Sequence, residues 1–422
     1  MKIAIVSFEG PGKDCVGGVR LRSLCNYFLN RGDTIFLLTS DVNIEYKLSP
    51  LVRHIIVKTP PLLKLTYFVK NNLSPQKNNL LSYSDEAGSY RRKFLRASYN
   101  ICRVLEQNIF LPDSKILWYW NARKQLTRLV ERYTPDVLIS IGKPVSHMVA
   151  LAGKKRAANI AWVAELQDPW PHRVSKKINF ITKTIDRKIE DYIMRKPDHL
   201  ITVTNGISNM YRHSFVSVVP FGSDICPVEG ANDINQYTIA YYGNIYGGRI
   251  TSFRILLLGF RLLLSKWPGK NLPRIQVFSS SAPREVGHIV MELNLQNAIT
   301  FSEPLKRDNL FRSMASRHVL ISLQGNELRY AISSKVYDYI MTQRPILGVM
   351  PADCEEAKFL RQINGAYVAY SPKSVAHYLN SLLVETQTCY RRRNAYQFHE
   401  SNVVKAFGDV VSKTLERIRI KN

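Results

Sequence analysis

At 422 residues the chain is too long for one ordinary hydrophobic core and suits two domains of about 200 residues. Its 59 Lys and Arg outnumber 33 Asp and Glu to give a formal charge of +26, with no dominant block of like charge; a basic surface facing an anionic partner (a membrane surface, a nucleic acid or a phosphorylated substrate) is expected. Six scattered cysteines without a C-x-x-C or a His/Cys cluster exclude a disulfide scaffold and a zinc site and point to a reduced cytoplasmic protein, and because the apolar N-terminal run is too short for a signal peptide and the longest apolar stretch, 255–264, contains Arg261, any membrane contact is expected to be peripheral.

Ile3 to Phe8 reads as the first strand of a parallel sheet. Gly10-Pro11-Gly12 and Gly17-Gly18 follow it, then helical periodicity from Arg20 to Asn30 and a second strand from Thr34 to Leu38, which together make a βαβ opening. These glycines match neither G-x-G-x-x-G nor a P-loop. A third strand is expected at 52–57. Pro60-Pro61 then leads a basic aromatic segment through Lys70, a polar loop follows at 71–79, and Tyr90 to Arg96 leads into a helix through Leu105; the interleaved basic and aromatic residues suit an anionic headgroup surface and equally a solvated helix face. Trp118-Tyr119-Trp120 leads a helix through Glu131, and 135–141 is the next strand. Gly142 to His147 opens a helix through Lys155; His147 is either a local cap or a contact for an acceptor.

The strand 160–166 ends in Glu165-Leu166-Gln167-Asp168-Pro169-Trp170. A carboxylate at the carboxyl end of a parallel strand faces a ligand crevice, so Asp168 is a candidate catalytic residue, against the reading of a turn-former before proline. Alternation puts Glu165 and Gln167 on one strand face. A long basic helix spans 176–196, a strand 199–204, and Asn205-Gly206-Ile207-Ser208 caps a further helix. Polar residues 225–237 read as a linker. Ile239 to Tyr242 then starts a second domain, and Gly243-Asn244-Ile245-Tyr246-Gly247-Gly248-Arg249 is its glycine-rich loop, in which small residues admit a phosphate and Arg249 can grip it bidentately. Lys306 is a further phosphate candidate. After the buried run 319–323, Ser333 or Ser334 is expected to cap a short helix whose bare N–H groups attract an anion. Lys335 adds charge there, and Asp338 shares its helix face. Phosphate on the helix mouth with a diol on the carboxylate is one reading; a surface Lys–Asp pair is the other.

Ser334-Lys335-Val336-Tyr337-Asp338-Tyr339-Ile340-Met341-Thr342-Gln343-Arg344-Pro345-Ile346-Leu347 resembles the donor-binding segment of family 4 glycosyltransferases, which usually read Ser-Lys-(apolar)-(aromatic)-Glu-Tyr-(apolar)-Ala-x-Gly-x-Pro. Val218 to Asp224 is similar to the family's segment closing its first domain, and 165–171 is similar to the subgroup that builds bacterial surface polysaccharides. The resemblance implies the GT-B fold, an α/β architecture of two Rossmann-like domains facing a cleft with a C-terminal helix crossing back to the first. It places an acceptor-side domain at 1–225, a nucleotide-sugar domain at 238–390 and the crossover helix at 391–422. It assigns the ribose hydroxyls to Asp338 and the diphosphate to Ser334, Lys335, Arg249, Asn244 and Gly243, with Lys306 nearby. Gly17, Gly18, His147 and Glu165 fall on the acceptor side. Asp stands where the family has its second Glu, the first Glu falls on Tyr330 with Glu327 out of register, and Gln167 stands where many members have His.

The implied activity is a retaining transfer of a hexosyl or N-acetylhexosaminyl unit from a nucleotide-sugar to a lipid-linked or polysaccharide-precursor acceptor. It needs neither metal nor cofactor, and it takes place on an anionic membrane surface at the cytoplasmic face. A non-hydrolysing sugar-nucleotide epimerase of the same fold is the alternative, ahead of a basic module that binds membrane or nucleic acid.

Overall fold

Short continuous apolar runs such as Ile3-Ala4-Ile5-Val6 and Ile346 to Val349 have no polar face to offer water, so they settle as strands covered on both sides, which parallel sheets provide. In a computed structural model, which describes residues 1–12, 16–42, 44, 46–64, 110–157, 159–174, 179–227, 237–267, 271–280, 284–384 and 394–421, thirteen such strands form two parallel sheets. The described residues divide into one unit of 1–221 with 400–421 and another of 222–399. The basic aromatic stretch expected between 65 and 105 lies outside the described residues.

The first unit holds β1 (Lys2–Ser7), β2 (Thr34–Ser40), β3 (Arg53–Val57), β4 (Val137–Ile141), β5 (Ala161–Leu166), β6 (His199–Thr202) and β7 (Val216–Val218) in the order β3-β2-β1-β4-β5-β6-β7. One face carries the helix Val16–Asn30 through Leu21, Leu24, Cys25 and Phe28, against Ile3, Ile5 and Ile139. The final helix, Glu400–Lys421, buries Val403, Val404, Phe407 and Val411 in this same core. The crossing-back of the C-terminus is therefore a hydrophobic docking onto the first unit.

A buried cation reinforces that docking. Arg20, 1% exposed, donates from Nε to Glu165 at 3.0 Å, from Nη1 to Glu400 at 3.4 Å, and from Nη2 to the carbonyls of Val219 and Pro220 at 3.0 and 2.8 Å. Burial works against the charge, but Glu165 and then Glu400 outweigh it and raise the guanidinium above its usual value.

The second unit holds β8 (Thr238–Tyr242), β9 (Arg274–Phe278), β10 (Ile299–Ser302), β11 (Val319–Leu323), β12 (Ile346–Val349) and β13 (Ala366–Ala369) in the order β10-β9-β8-β11-β12-β13. Strand alternation sends Ile239, Ile275 and Ile321 to one core with the helix Gly248–Leu264, and Ala240, Tyr242 and Leu320 to another with Val336, Tyr339 and Ile340 of the helix Ser334–Met341. Both sheets reverse their strand order beside their first strand, where doubly wound sheets open a crevice at the carboxyl ends. Among the described residues no helix is long and apolar enough to cross a membrane.

Gly259 lets the helix Gly248–Leu264 touch the helix Pro372–Val384: a Cβ there would lie 2.5 Å from Val375 Cβ and 2.7 Å from the Pro372 carbonyl oxygen. Gly259→Ala is expected to lower stability by about 2 kcal/mol, because overpacking against rigid atoms exceeds the gain in helix propensity. A urea midpoint equal to or above that of the unaltered protein would contradict this packing.

Candidate functional site

The second unit's site is built at the carboxyl ends of β8 and β11. Gly243 (φ 151°) turns the chain after β8, and a Cβ there would lie 3.0 Å from the Tyr241 hydroxyl, which itself donates to the Asn244 carbonyl at 3.1 Å. The Asn244 side chain is turned toward the loop after β9: its Oδ1 accepts from Ser279 Oγ (3.1 Å), Ser280 N (3.1 Å) and Ser280 Oγ (2.8 Å). Its role is to tie two strand-end loops together. Arg249 lies over the Tyr246 ring at 5.0 Å and reaches the Asn244 carbonyl at 3.4 Å, and its buried Nε has no hydrogen-bond partner.

Ser333 occupies the N-cap of the helix Ser334–Met341, but neither serine supplies the expected side-chain cap. Instead the Ser333 N–H donates to Glu356 Oε2 at 2.7 Å. Glu356 is buried, also accepts from Ser322 Oγ and from Gln324 Nε2 (3.3 Å), and has its pKa raised by that burial. A carboxylate from the helix Glu355–Leu360 thus pins the start of the helix that presents Lys335.

Lys335 forms no ion pair among the described residues. Burial lowers its pKa, the like charges of Arg249 and Arg307 lower it further, and only Asp338 opposes them. Asp338 is 5% exposed and already held: Arg307 grips it bidentately (2.7 and 2.9 Å), and Ser223 Oγ donates to Oδ1 at 2.7 Å. Arg307 also pairs with Asp224, and although burial opposes its charge, these carboxylates raise its pKa. Asp338 is therefore part of a clamp between the helices 307–315 and 334–341 and the segment 223–224. Lys306, the exposed N-cap residue of the helix Arg307–Ala315, makes no cap bond.

Glu327 fills a place of its own. Its carboxylate accepts from Gly248 N at 2.6 Å, at the start of the helix Gly248–Leu264. A Cβ at Gly247, Gly248 or Gly325 would collide with it.

The first unit gathers a second group at the ends of β1, β4 and β5. Lys143 Nζ lies 3.8 Å from Glu9 and 3.6 Å from Asp168, whose side chain is 70% exposed. Gln167 Oε1 would lie 3.4 Å from a Cβ on either Gly17 or Gly142, so these glycines leave it room. Gly18 is buried in the first turn of the helix Val16–Asn30.

Two residues expected on the acceptor side lie inside the unit instead. Glu165 is fully buried and spent on Arg20 and on Gln167 Nε2 (3.3 Å). His147 is fully buried, with Nδ1 2.8 Å from Ser140 Oγ, which also accepts from Trp162 Nε1 at 2.9 Å. Burial lowers the imidazole to a pKa of about 4. A base whose pKa falls on folding binds fewer protons folded than unfolded, so its contribution is complete above pH 6.5 and is lost as pH falls to about 4. The loss should reach about 3 kcal/mol. Urea melts from pH 7 to 4 should therefore show a slope that His147→Gln flattens; identical slopes in the two proteins would refute the assignment.

Arg307, Glu9 and Lys143 join these groups without any sequence pattern that singles them out. Among the described residues no three His, Cys, Asp or Glu side chains assemble as a metal-binding group.

No family model matches the chain, and no curated protein matches it. Solved structures do. A sucrose-phosphate synthase from Thermosynechococcus elongatus superposes with a TM-score of 0.64 at 12% identity, covering 99% of both chains. The apo form of the lipopolysaccharide outer core galactosyltransferase WaaB gives 0.60 at 12% identity over 98% of this chain and 99% of its own. A putative UDP-N-acetylglucosamine 2-epimerase from Listeria monocytogenes gives 0.55 at 7% identity over 99% and 97%. Both sheets, their strand order and the return of the last helix to the first unit are accounted for over essentially the whole length: the chain has the GT-B fold.

Proposed function

We propose that the chain is a glycosyltransferase that takes a sugar from a nucleotide-sugar donor. The observation that carries this reading is the pair Arg249 and Lys335. Both cations follow the strands that flank the switch point of the second unit's sheet, neither forms an ion pair among the described residues, and the Lys335 pKa is depressed first by burial and then by the like charge of Arg249. A diphosphate would relieve that repulsion. In the transfer step the same two side chains and the N-terminus of the helix 334–341 would stabilise the leaving nucleoside diphosphate, in an arrangement set before the sugar moves. Ser334 and Gly243 would bring backbone to the phosphates, with Lys306 at the rim. Asp338, fixed by Arg307, is assigned to the ribose hydroxyls through its remaining lone pairs.

The first unit, with Asp168, Gly17 and Gly18, is assigned to the acceptor, a lipid-linked saccharide or polysaccharide precursor of the cell surface. Transfer of a hexosyl or N-acetylhexosaminyl unit with retention, without metal or cofactor, at the inner face of the plasma membrane completes the proposal. The formal charge of +26 favours an anionic surface. Asp168→Asn should lower kcat while leaving donor affinity unchanged; full turnover by that variant would remove Asp168 from the chemistry.

A thermal-shift screen against UDP-, GDP-, ADP- and dTDP-sugars tests the donor reading, and stabilisation by none of them would end it. The epimerase likeness favours a second reading, interconversion of the nucleotide-sugar itself. Radiolabelled sugar appearing in a lipid extract supports transfer. Label recovered only as a rearranged nucleotide-sugar supports the alternative.

A further inference from the structure

In the first unit a cavity of ≈ 750 Å³, with none of the residues assigned above in its lining, lies beside the helix Phe180–Met194. Lys183, Arg187, Arg195 and Arg212 line it, and none of them forms an ion pair among the described residues. Two acidic side chains line it as well, Glu190 and Asp191, but Glu190 is taken by Arg173 at 2.7 Å. The excess is cationic. The wall carrying it is held by Trp170 Nε1, which donates to Asp186 at 2.7 Å, and by the Arg173–Glu190 pair, with His172 lying between the two buried carboxylates.

The same helix exposes large apolar side chains: Phe180 by 82%, Ile181 by 70%, Ile185 by 45% and Tyr192 by 51%. Ile181, Ile185 and Tyr192 are spaced by four and seven, so they form one stripe. Thr182, Asp186, Glu190 and Ile193 are the buried side. The helix therefore turns outward with unpaired cations on one flank and an apolar stripe on the other, the combination that suits a bilayer interface. A nucleic acid would answer the cations and leave the apolar stripe in water.

We propose that this face docks on an anionic phospholipid surface, with headgroup phosphate entering the cavity and Phe180, Ile181 and Ile185 seated at the acyl boundary. The proposal rests on the peripheral-membrane part of the reading above and locates it. Flotation with phosphatidylcholine vesicles, with and without phosphatidylglycerol at fixed salt, tests it in the full chain. Binding should require phosphatidylglycerol. Arg187→Glu with Arg212→Glu should weaken it by about tenfold or more, and Phe180→Ser with Ile181→Ser by about fivefold or more. Should the charge reversals misfold, Arg187→Gln with Arg212→Gln must still weaken it severalfold.

Lys266→Glu with Arg274→Glu, both on the second unit, is the control and should leave affinity within about twofold. Equal loss in that control would overturn the site while leaving general membrane association intact. So would full binding by the serine variant or by the Arg187/Arg212 variants. No vesicle binding by the unaltered protein removes both site and membrane association. Calorimetric binding of inorganic pyrophosphate at Arg187 and Arg212 without vesicle uptake would overturn the lipid assignment in favour of a soluble phosphate.

Discussion

Lys335→Ala is expected to weaken nucleoside diphosphate binding by about 2–3 kcal/mol, the scale of a charge-assisted hydrogen bond made by a desolvated cation. The direction follows from the environment of the ammonium. Burial and the nearby Arg249 and Arg307 already depress its pKa, so the free protein holds the charge at a cost that a phosphate would offset. Arg249→Ala should act in the same sense, and the double variant should lose more than the sum, because in each single variant relief of repulsion on the remaining cation offsets part of the loss, and in the double variant no cation is left to relieve. Calorimetry with the diphosphate found by the thermal-shift screen checks this. A change near zero for Lys335→Ala would remove the anion site from the second unit.

Arg20→Met should reduce stability by about 3–5 kcal/mol, because it strands two carboxylates in the interior. Glu165 is fully buried and Glu400 nearly so, and the carbonyls of Val219 and Pro220 lose their donor in the same step. With total stabilities commonly about 5–15 kcal/mol, that loss is a large share. Glu400→Gln should cost much less, since Glu165 still balances the guanidinium. Urea unfolding followed in both variants gives the ordering; a loss below about 1 kcal/mol for Arg20→Met would show that the final helix is held by its apolar contacts alone.

Chain order and element type were legible in the sequence because buried parallel strands must be short apolar runs. Ile3-Ala4-Ile5-Val6, Val319 to Leu323 and Ile346 to Val349 announce themselves that way, and the glycines after β1 and β8 mark where the backbone must turn. That Arg249 follows β8 and Lys335 follows β11 was legible too, since each comes after a short apolar run and a turn. Partners were not legible. Arg307 is 31 residues from Asp338 and Arg20 is 380 from Glu400, and no local spacing connects them. Glu165 and His147 have the composition of site residues, yet burial commits one to Arg20 and the other to Ser140. Ser333 sits at the expected cap position, yet its side chain makes no cap bond and its own N–H donates to Glu356, 23 residues on. Periodicity is a property of neighbours along the chain and survives in any fold that buries it. Which carboxylate meets which cation depends on strand order, and strand order is decided only when the sheets assemble.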